Sequence, residues 1–230
     1  TIRDLLSHMS GLTYDFMYKS NVDAAYRKTK LQQADTLEEM VNILAELPLE
    51  FSPGDEWNYS VSTDVLGYLV EVLSGMKLDE YFKKNIFDPL EMVDTGFSCP
   101  EEKKERLASL YEHSPKSEPR LLEIPFLNTK LLSGGGGLFS TMSDYYNFCS
   151  MIIGQGEFKG KRLIGRKTIE LMSCNHLPDG KDLTEMSQSA FSETPYAGVG
   201  FGLGFSVMLD PAKSQTLSDI GEYNPPPPDN

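Results

Sequence analysis

Phe51-Ser52-Pro53-Gly54-Asp55-Glu56-Trp57-Asn58-Tyr59-Ser60-Val61-Ser62-Thr63-Asp64 is the stretch on which the reading of this chain turns. Pro53 presets its own φ and Gly54 tolerates positive φ, so the backbone reverses sharply here. The chain's single tryptophan, Trp57, and then Tyr59 follow directly. Further on, Val65, Leu66, Leu69, Val70 and Leu73 recur at helical spacing, and Ser62 or Thr63 is placed to cap the helix they predict. Tyr59 is therefore expected on a short loop braced between a rigid turn and a helix, a setting in which functional side chains collect.

Outward from this stretch, the N-terminal side carries two helix signals. Thr1 to Leu12 predicts a short helix with a Thr1/Asp4 capping box, an apolar face of Ile2, Leu5, Leu6 and Met9, and a stop at Gly11. Thr36-Leu37-Glu38-Glu39 opens a second helix with the stripe Leu37, Met40, Val41, Leu44 and Leu47, ended by Pro48. Between them, Thr13 to Gln33 holds Tyr14, Phe16, Tyr18 and Tyr26 with no clean period.

On the C-terminal side, the helix after Tyr59 ends at Ser74-Gly75, and a short one from Leu78 to Phe87 is closed by Asp88-Pro89. Glu91 to Lys130 reads as loop, with Glu101 to Glu105 as a solvated charge run. Ser133-Gly134-Gly135-Gly136-Gly137-Leu138 leads to a helix capped by Thr141 and Asp144 and carrying Tyr145, Phe148, Met151 and Ile152. These glycines do not fit a nucleotide-binding spacing. Gly154 to Lys161 predicts a small hairpin and Lys167 to Cys174 another helix. Val199 to Leu209 alternates strictly and predicts one strand, whose face of Gly200, Gly202 and Gly204 requires a neighbour at close range. The tail Gly221 to Asn230, with four successive prolines, reads as unable to join a sheet and as polyproline-like or disordered.

The 230 residues are enough for a full core, as one large domain or two smaller ones. A net charge of -13 argues against nucleic acid and anionic membrane surfaces as partners. No apolar run approaches the ~20 residues that span a bilayer. Cys99, Cys149 and Cys174 form neither a disulfide framework nor a metal motif, and no cofactor or metal is called for. Cys174-Asn175-His176 reads as ordinary structure, and a Cys149–His176 pair has nothing to support it. Asn58-Tyr59-Ser60 is formally a glycosylation sequon, read as coincidence because a glycan there would block the cleft proposed below.

Phe51-x-Pro53-Gly54-x-x-Trp57-x-Tyr59-Ser60, followed by Asp64-Val65-Leu66-Gly67-x-Leu69-Val70-Glu71, resembles the penicillin-recognising serine hydrolases, most closely their esterase branch, related to class C β-lactamases. The Thr1–Leu12 string and the Ser133–Thr141 glycine string are similar to segments of the same family, so the resemblance runs from about Thr1 to Tyr223. It implies an α+β, mainly α chain: the helical domain of the β-lactamase/transpeptidase-like fold with part of its α/β antiparallel-sheet domain. The corresponding divisions are residues 1–175, a helical region with the Tyr and Gly-rich loops; 176–221, the start of the returning sheet; and 222–230, a Pro-rich tail. The resemblance makes Tyr59 the catalytic tyrosine that works with a lysine to deprotonate a serine. Tyr14, Phe16, Gly135 and Gly136 become candidates for lining the substrate cleft. His8 falls in a structural string and is expected to be hydrogen-bonded on a helix, not catalytic.

The family's Ser-x-x-Lys nucleophile has one match here, Ser74-Gly75-Met76-Lys77, which is rejected. The chemistry needs a serine at a helix N-terminus with the lysine one turn on, whereas Ser74 is expected at a helix C-terminus, where the dipole opposes an alkoxide. The nucleophile is expected upstream of Thr1 and the oxyanion strand beyond Tyr223. Val61 stands where amide-cleaving relatives place an asparagine, which favours a small-molecule ester over a β-lactam or D-alanyl peptide. Three readings follow. The first is a serine esterase or acyl transferase of which this chain holds only the Tyr base and is inactive alone, with β-lactamase or D-alanyl peptidase activity within the same family as its alternative. The second is a non-catalytic homologue or interaction module. The third is a fragment completed by a complementing chain or by a homo-oligomer.

Overall fold

The computed structural model describes residues 1–29, 31–114, 117–122, 130–187 and 196–224. Helix α1 (Ile2–Leu6) starts as its sequence predicts, with Thr1 Oγ1 accepting the Asp4 amide and the Asp4 carboxylate bound back to Thr1. It ends before Gly11, because His8 takes the left-handed conformation at φ 55° and breaks the turn. His8 therefore lies off the helix on which it was expected. Gly11, at φ 80°, serves a different need: any Cβ there would collide with the Phe51 carbonyl. Its own carbonyl accepts the Glu50 amide at 2.8 Å, that of Met9 the Gly54 amide at 2.9 Å, and that of His8 the Asn58 amide at 2.9 Å. The first loop is thus stitched along the stretch that carries Tyr59.

Helix α2 (Asn21–Lys28) comes from the aperiodic segment and is set by local capping, Ser20 and Asp23 forming a box. Helix α3 (Leu37–Ala45) begins at Thr36, whose hydroxyl accepts the Glu39 amide, and buries Leu37, Met40 and Leu44. Helix α4 (Ser62–Ser74) departs from expectation at its start and on its face. Neither Ser62 nor Thr63 caps it; Val61 is the N-cap residue and gives no side-chain bond. Its buried positions are Ser62, Asp64 and Gly67, while Leu73 is 75% exposed. Gly67 sits there because a Cβ would press on Leu78 at 3.0 Å and Leu37 at 3.3 Å. Helix α5 (Leu78–Phe82) continues through a π turn to Asp88.

A hairpin stands where only loop was expected: β1 (Leu110–Ser114) pairs with β2 (Ser117–Leu122), matching Tyr111 with Leu121 and Glu112 with Arg120. Pro119 hides β2 in the sequence, and a two-stranded ribbon tolerates it because each strand has a free edge. Helix α6 (Met142–Ile153) is capped by Thr141, and the hairpin β3 (Glu157–Phe158) and β4 (Lys161–Arg162) and helix α7 (Arg166–Met172) follow as read. After the short α8 (Leu183–Met186), the single strand expected over 199–209 is a hairpin, β5 (Val199–Phe201) and β6 (Ser206–Met208). The chain reverses where Gly202 donates to the Phe205 carbonyl and Gly204 adopts φ 102°. Both arms share the period of two, so alternation alone hides the reversal. The close neighbour is there: a Cβ on Gly200 would strike Asn175, and one on Gly202 the Met172 carbonyl.

Beyond α9 (Pro211–Ser214), β7 (Tyr223–Asn224) joins the sheet in the order β5-β6-β7, so part of the tail pairs after all; residues 225–230 lie outside the described ones. The fold is mainly helical with small antiparallel sheets. One core cluster centres on Tyr26, Leu37, Met40, Val61 and Leu78, a second on Leu90, Ile152 and Ile169, and a third on Met9, Trp57, Leu177 and Phe201. Tyr59 packs on the first and the third, at the seam between them. Among the described residues no helix is long and apolar enough to cross a membrane, and no group of His, Cys, Asp and Glu is placed to hold a metal.

Candidate active site around Tyr59

Tyr59 is half-buried on the loop between the Pro53-Gly54 turn and α4. Its ring lies between two others, His8 at 4.8 Å and Tyr14 at 5.4 Å between centroids. Tyr14 is buried and stacks on Phe16 at 4.7 Å, and Phe16 is 46% exposed. The three aromatic side chains therefore run in series through ring contacts, with buried Tyr14 between half-buried Tyr59 and exposed Phe16.

The glycine run closes one side of this row. At Gly135 a Cβ would come within 2.8 Å of Thr63 Oγ1, 2.9 Å of Asp64 Oδ2 and 3.2 Å of the Tyr14 hydroxyl. Only glycine lets the backbone pass between the α4 N-terminus and Tyr14. Gly136 takes no part in this approach, its nearest contact being Ser133 Oγ at 3.9 Å. The structure thus brings Tyr59, Tyr14, Phe16 and Gly135 together and leaves Gly136 to one side.

Asp64 makes the junction. It is 3% exposed, accepts the Ser133 hydroxyl at 2.6 Å and the Gly135 amide at 3.2 Å, and stands in the first turn of α4. Burial pushes its carboxyl above the usual aspartate range, while the bonds from Ser133 and the glycine amides pull the other way. Sequence reasoning passed over Asp64. The signal was there, since an acidic residue in a first helical turn suits the helix dipole.

His8 is buried, its Nδ1 3.3 Å from Ser60 Oγ, and desolvation pushes its pKa down to about 4. A neutral imidazole enclosed by Trp57, Tyr59 and Phe201 suits the hydrogen-bonding role assigned from the sequence. Val61 is fully buried in the first core cluster, so no side chain at that position reaches a substrate. Asn58 is buried and donates to the Leu12 carbonyl at 3.0 Å, which leaves the sequon no room for a glycan.

Ser74 closes α4, Gly75 follows at φ 68°, and Ser74 Oγ accepts the Met76 amide. Lys77 Nζ lies 3.5 Å from Glu71, not against Ser74. The rejected Ser-x-x-Lys match therefore has neither the helix position nor the paired lysine. Cys149 and His176 are not joined either: the His176 ring nitrogen lies 2.8 Å from the Leu171 carbonyl.

Residues 1–224 match the family model described as Beta-lactamase. This chain belongs to that family. Its relatives include Protein Rv1367c of Mycobacterium tuberculosis, 34% identical over 96% of this chain and 54% of its own length. The lovastatin esterase of Penicillium rubens is 28% identical over 91% of this chain and 55% of its own. Among solved structures, EstCE1, titled a hydrolase with promiscuous acyltransferase activity, superposes with a TM-score of 0.75 at 26% identity, covering 96% of this chain and 59% of that one. The chain thus adopts part of the β-lactamase/transpeptidase-like fold and spans about half the length of the curated relatives it matches.

Proposed function

We propose that this chain is the tyrosine-bearing part of a serine ester hydrolase or acyl transferase, with Tyr59 as its proton shuttle. The observation that carries the reading is the position of Tyr59, in ring contact with Tyr14, whose hydroxyl is in turn approached by the glycine run that Asp64 holds. A serine hydroxyl supplied outside these residues would attack the ester carbonyl and pass its proton to Tyr59. Collapse of the tetrahedral species would expel the alcohol, which takes the proton back. Water or a second alcohol would then accept the acyl group. Tyr14, Phe16 and Gly135 would line the cleft.

Val61, buried in the core, does not itself choose between esters and amides. The preference for esters rests on the names of the relatives, an esterase and a hydrolase with acyltransferase activity.

The arrangement at Ser74 and Lys77 favours a second statement: these 230 residues alone do not turn over esters and need a Ser-x-x-Lys element, in cis or from a complementing chain. A fluorophosphonate probe should leave the 230-residue chain unlabelled, and labelling at Ser74 would overturn this. In protein that carries the serine, Tyr59→Phe should lower p-nitrophenyl butyrate hydrolysis by about 10²–10⁴-fold with unfolding unchanged. Turnover equal to wild type would remove Tyr59 from the mechanism, and the hydrolase reading with it.

A further inference from the structure

Beneath the Tyr59 loop runs a row of buried hydroxyls. His8 Nδ1 lies 3.3 Å from Ser60 Oγ, Ser60 Oγ 2.8 Å from Ser62 Oγ, and Ser62 Oγ 2.6 Å from Ser10 Oγ. At the far end the Leu12 amide donates to Ser10 Oγ at 3.3 Å. All four side chains are buried, Ser60 and Ser62 completely.

Each hydroxyl has one proton to give, so the row has two consistent directions. If the protons run from Ser10 through Ser62 and Ser60 to His8, every hydroxyl proton finds an acceptor. In the opposite direction Ser10 receives both the Leu12 amide and the Ser62 hydroxyl, and its own proton has no acceptor among the described residues. In the first direction the ring proton of His8 sits on Nε2 and in the second on Nδ1; in both, the row joins the ring to the Tyr59 loop.

We infer that His8 is a positioning residue for Tyr59, with its tautomer locked by the Ser10–Ser62–Ser60 row and its ring set against the phenol. The inference rests on Tyr59 being the proton shuttle. The His8 ring is braced on its other sides by Phe201 at 5.6 Å and Trp57 at 6.0 Å, so it cannot swing away from Tyr59. Its carbonyl holds the Asn58 amide, so main chain and side chain grip the same loop. A misplacement of about 1 Å in a reacting group can cost on the order of 10²-fold in rate, which is the scale of effect such a brace controls.

Two-bond proton–nitrogen NMR spectra of the 230-residue protein at pH 7.5 test the lock directly, with Tyr59 ring signals assigned through Tyr59→Phe. The expected result is a single His8 tautomer in the wild type. Ser62→Ala, which cuts the row in its middle, should release the single tautomer into a mixture and shift the Tyr59 signals while thermal unfolding stays cooperative. His8→Asn keeps a residue that accepts the left-handed backbone, and should shift the same Tyr59 signals. A mixture of His8 tautomers in the wild type, or Tyr59 signals unmoved in both variants, overturns the inference. In protein that carries the serine, Ser62→Ala and His8→Asn should lower kcat by roughly 10–100-fold with KM within about twofold. Unchanged kcat in both also overturns it. Failure of the hydrolase reading shows separately, as full turnover in Tyr59→Phe.

Discussion

The Ser133 hydroxyl donates a 2.6 Å hydrogen bond to the buried carboxylate of Asp64, tying the glycine run to the first turn of the helix that follows Tyr59. Removing the acceptor leaves Ser133 Oγ and the Gly135 amide without a partner they now share. Asp64→Ala should therefore destabilise the protein by about 2–3 kcal/mol in urea unfolding, the range for hydrogen bonds to a buried charge. Asp64→Asn keeps an acceptor oxygen and should cost less. Burial raises the folded-state pKa above the ordinary value of 3.8, so the native state holds its proton longer than the unfolded chain. The ionised carboxylate consequently costs stability as pH climbs through the range above 3.8, and this loss should be absent in Asp64→Asn. Parallel stability–pH curves for the two proteins would refute the assignment.

The glycines of the run differ in what they tolerate. A Cβ at Gly134 would collide with the Thr63 carbonyl, which is backbone and cannot rotate aside. Gly134→Ala should cost roughly 1–3 kcal/mol, as overpacking does. Gly136→Ala meets nothing nearer than 3.9 Å and should unfold within ~0.5 kcal/mol of wild type. Equal melting temperatures for the two variants would contradict the close approach.

Acid should weaken the fold through His8. Its folded pKa of about 4 lies below the ordinary 6.5, so the unfolded chain takes up a proton that the native state refuses. Stability is lost as pH falls from about 6.5 to about 4, and across the whole interval His8 accounts for about 3 kcal/mol. His8→Asn should lack this increment, so the wild-type-minus-variant difference in unfolding free energy should shrink as the solution is acidified. A constant difference across that range would rule the burial effect out.

Val61→Asn tests whether position 61 faces the core or the cleft. Because Val61 is fully buried, the new amide would enter the core instead of the cleft. The variant should lose about 2–4 kcal/mol of stability and gain no hydrolysis of a β-lactam such as nitrocefin. A stable variant with new amide-cleaving activity would show that the side chain faces substrate.

Capping boxes and apolar stripes made much of the helical framework legible: Thr1 with Asp4, Thr36 with Glu39, and Thr141 with Asp144 all mark real helix starts. These signals are local, and neighbours in sequence decide them. The misreadings arose where a distant segment decides. Ser62 looked like a cap, yet its hydroxyl is taken by Ser10 and Ser60. Gly11 looked like a helix stop, yet it answers to Phe51. The alternation from Val199 to Leu209 survived intact through a hairpin because reversal preserves a period of two. At the candidate site, the family resemblance singles out Tyr59 on its loop, but Asp64 gains its meaning only when Ser133 and Gly135 are folded against it.

The stitching of the His8–Gly11 carbonyls to amides between Glu50 and Asn58 bears on how the phenol comes to be in place. Those bonds join parts of the chain separated by all of α2 and α3, so they reward the polypeptide only after a large ring has closed. Helices held by nearby caps can form before that closure. The Tyr59 loop is therefore expected to seat late during folding and to be released early on warming, while most of the helical signal persists.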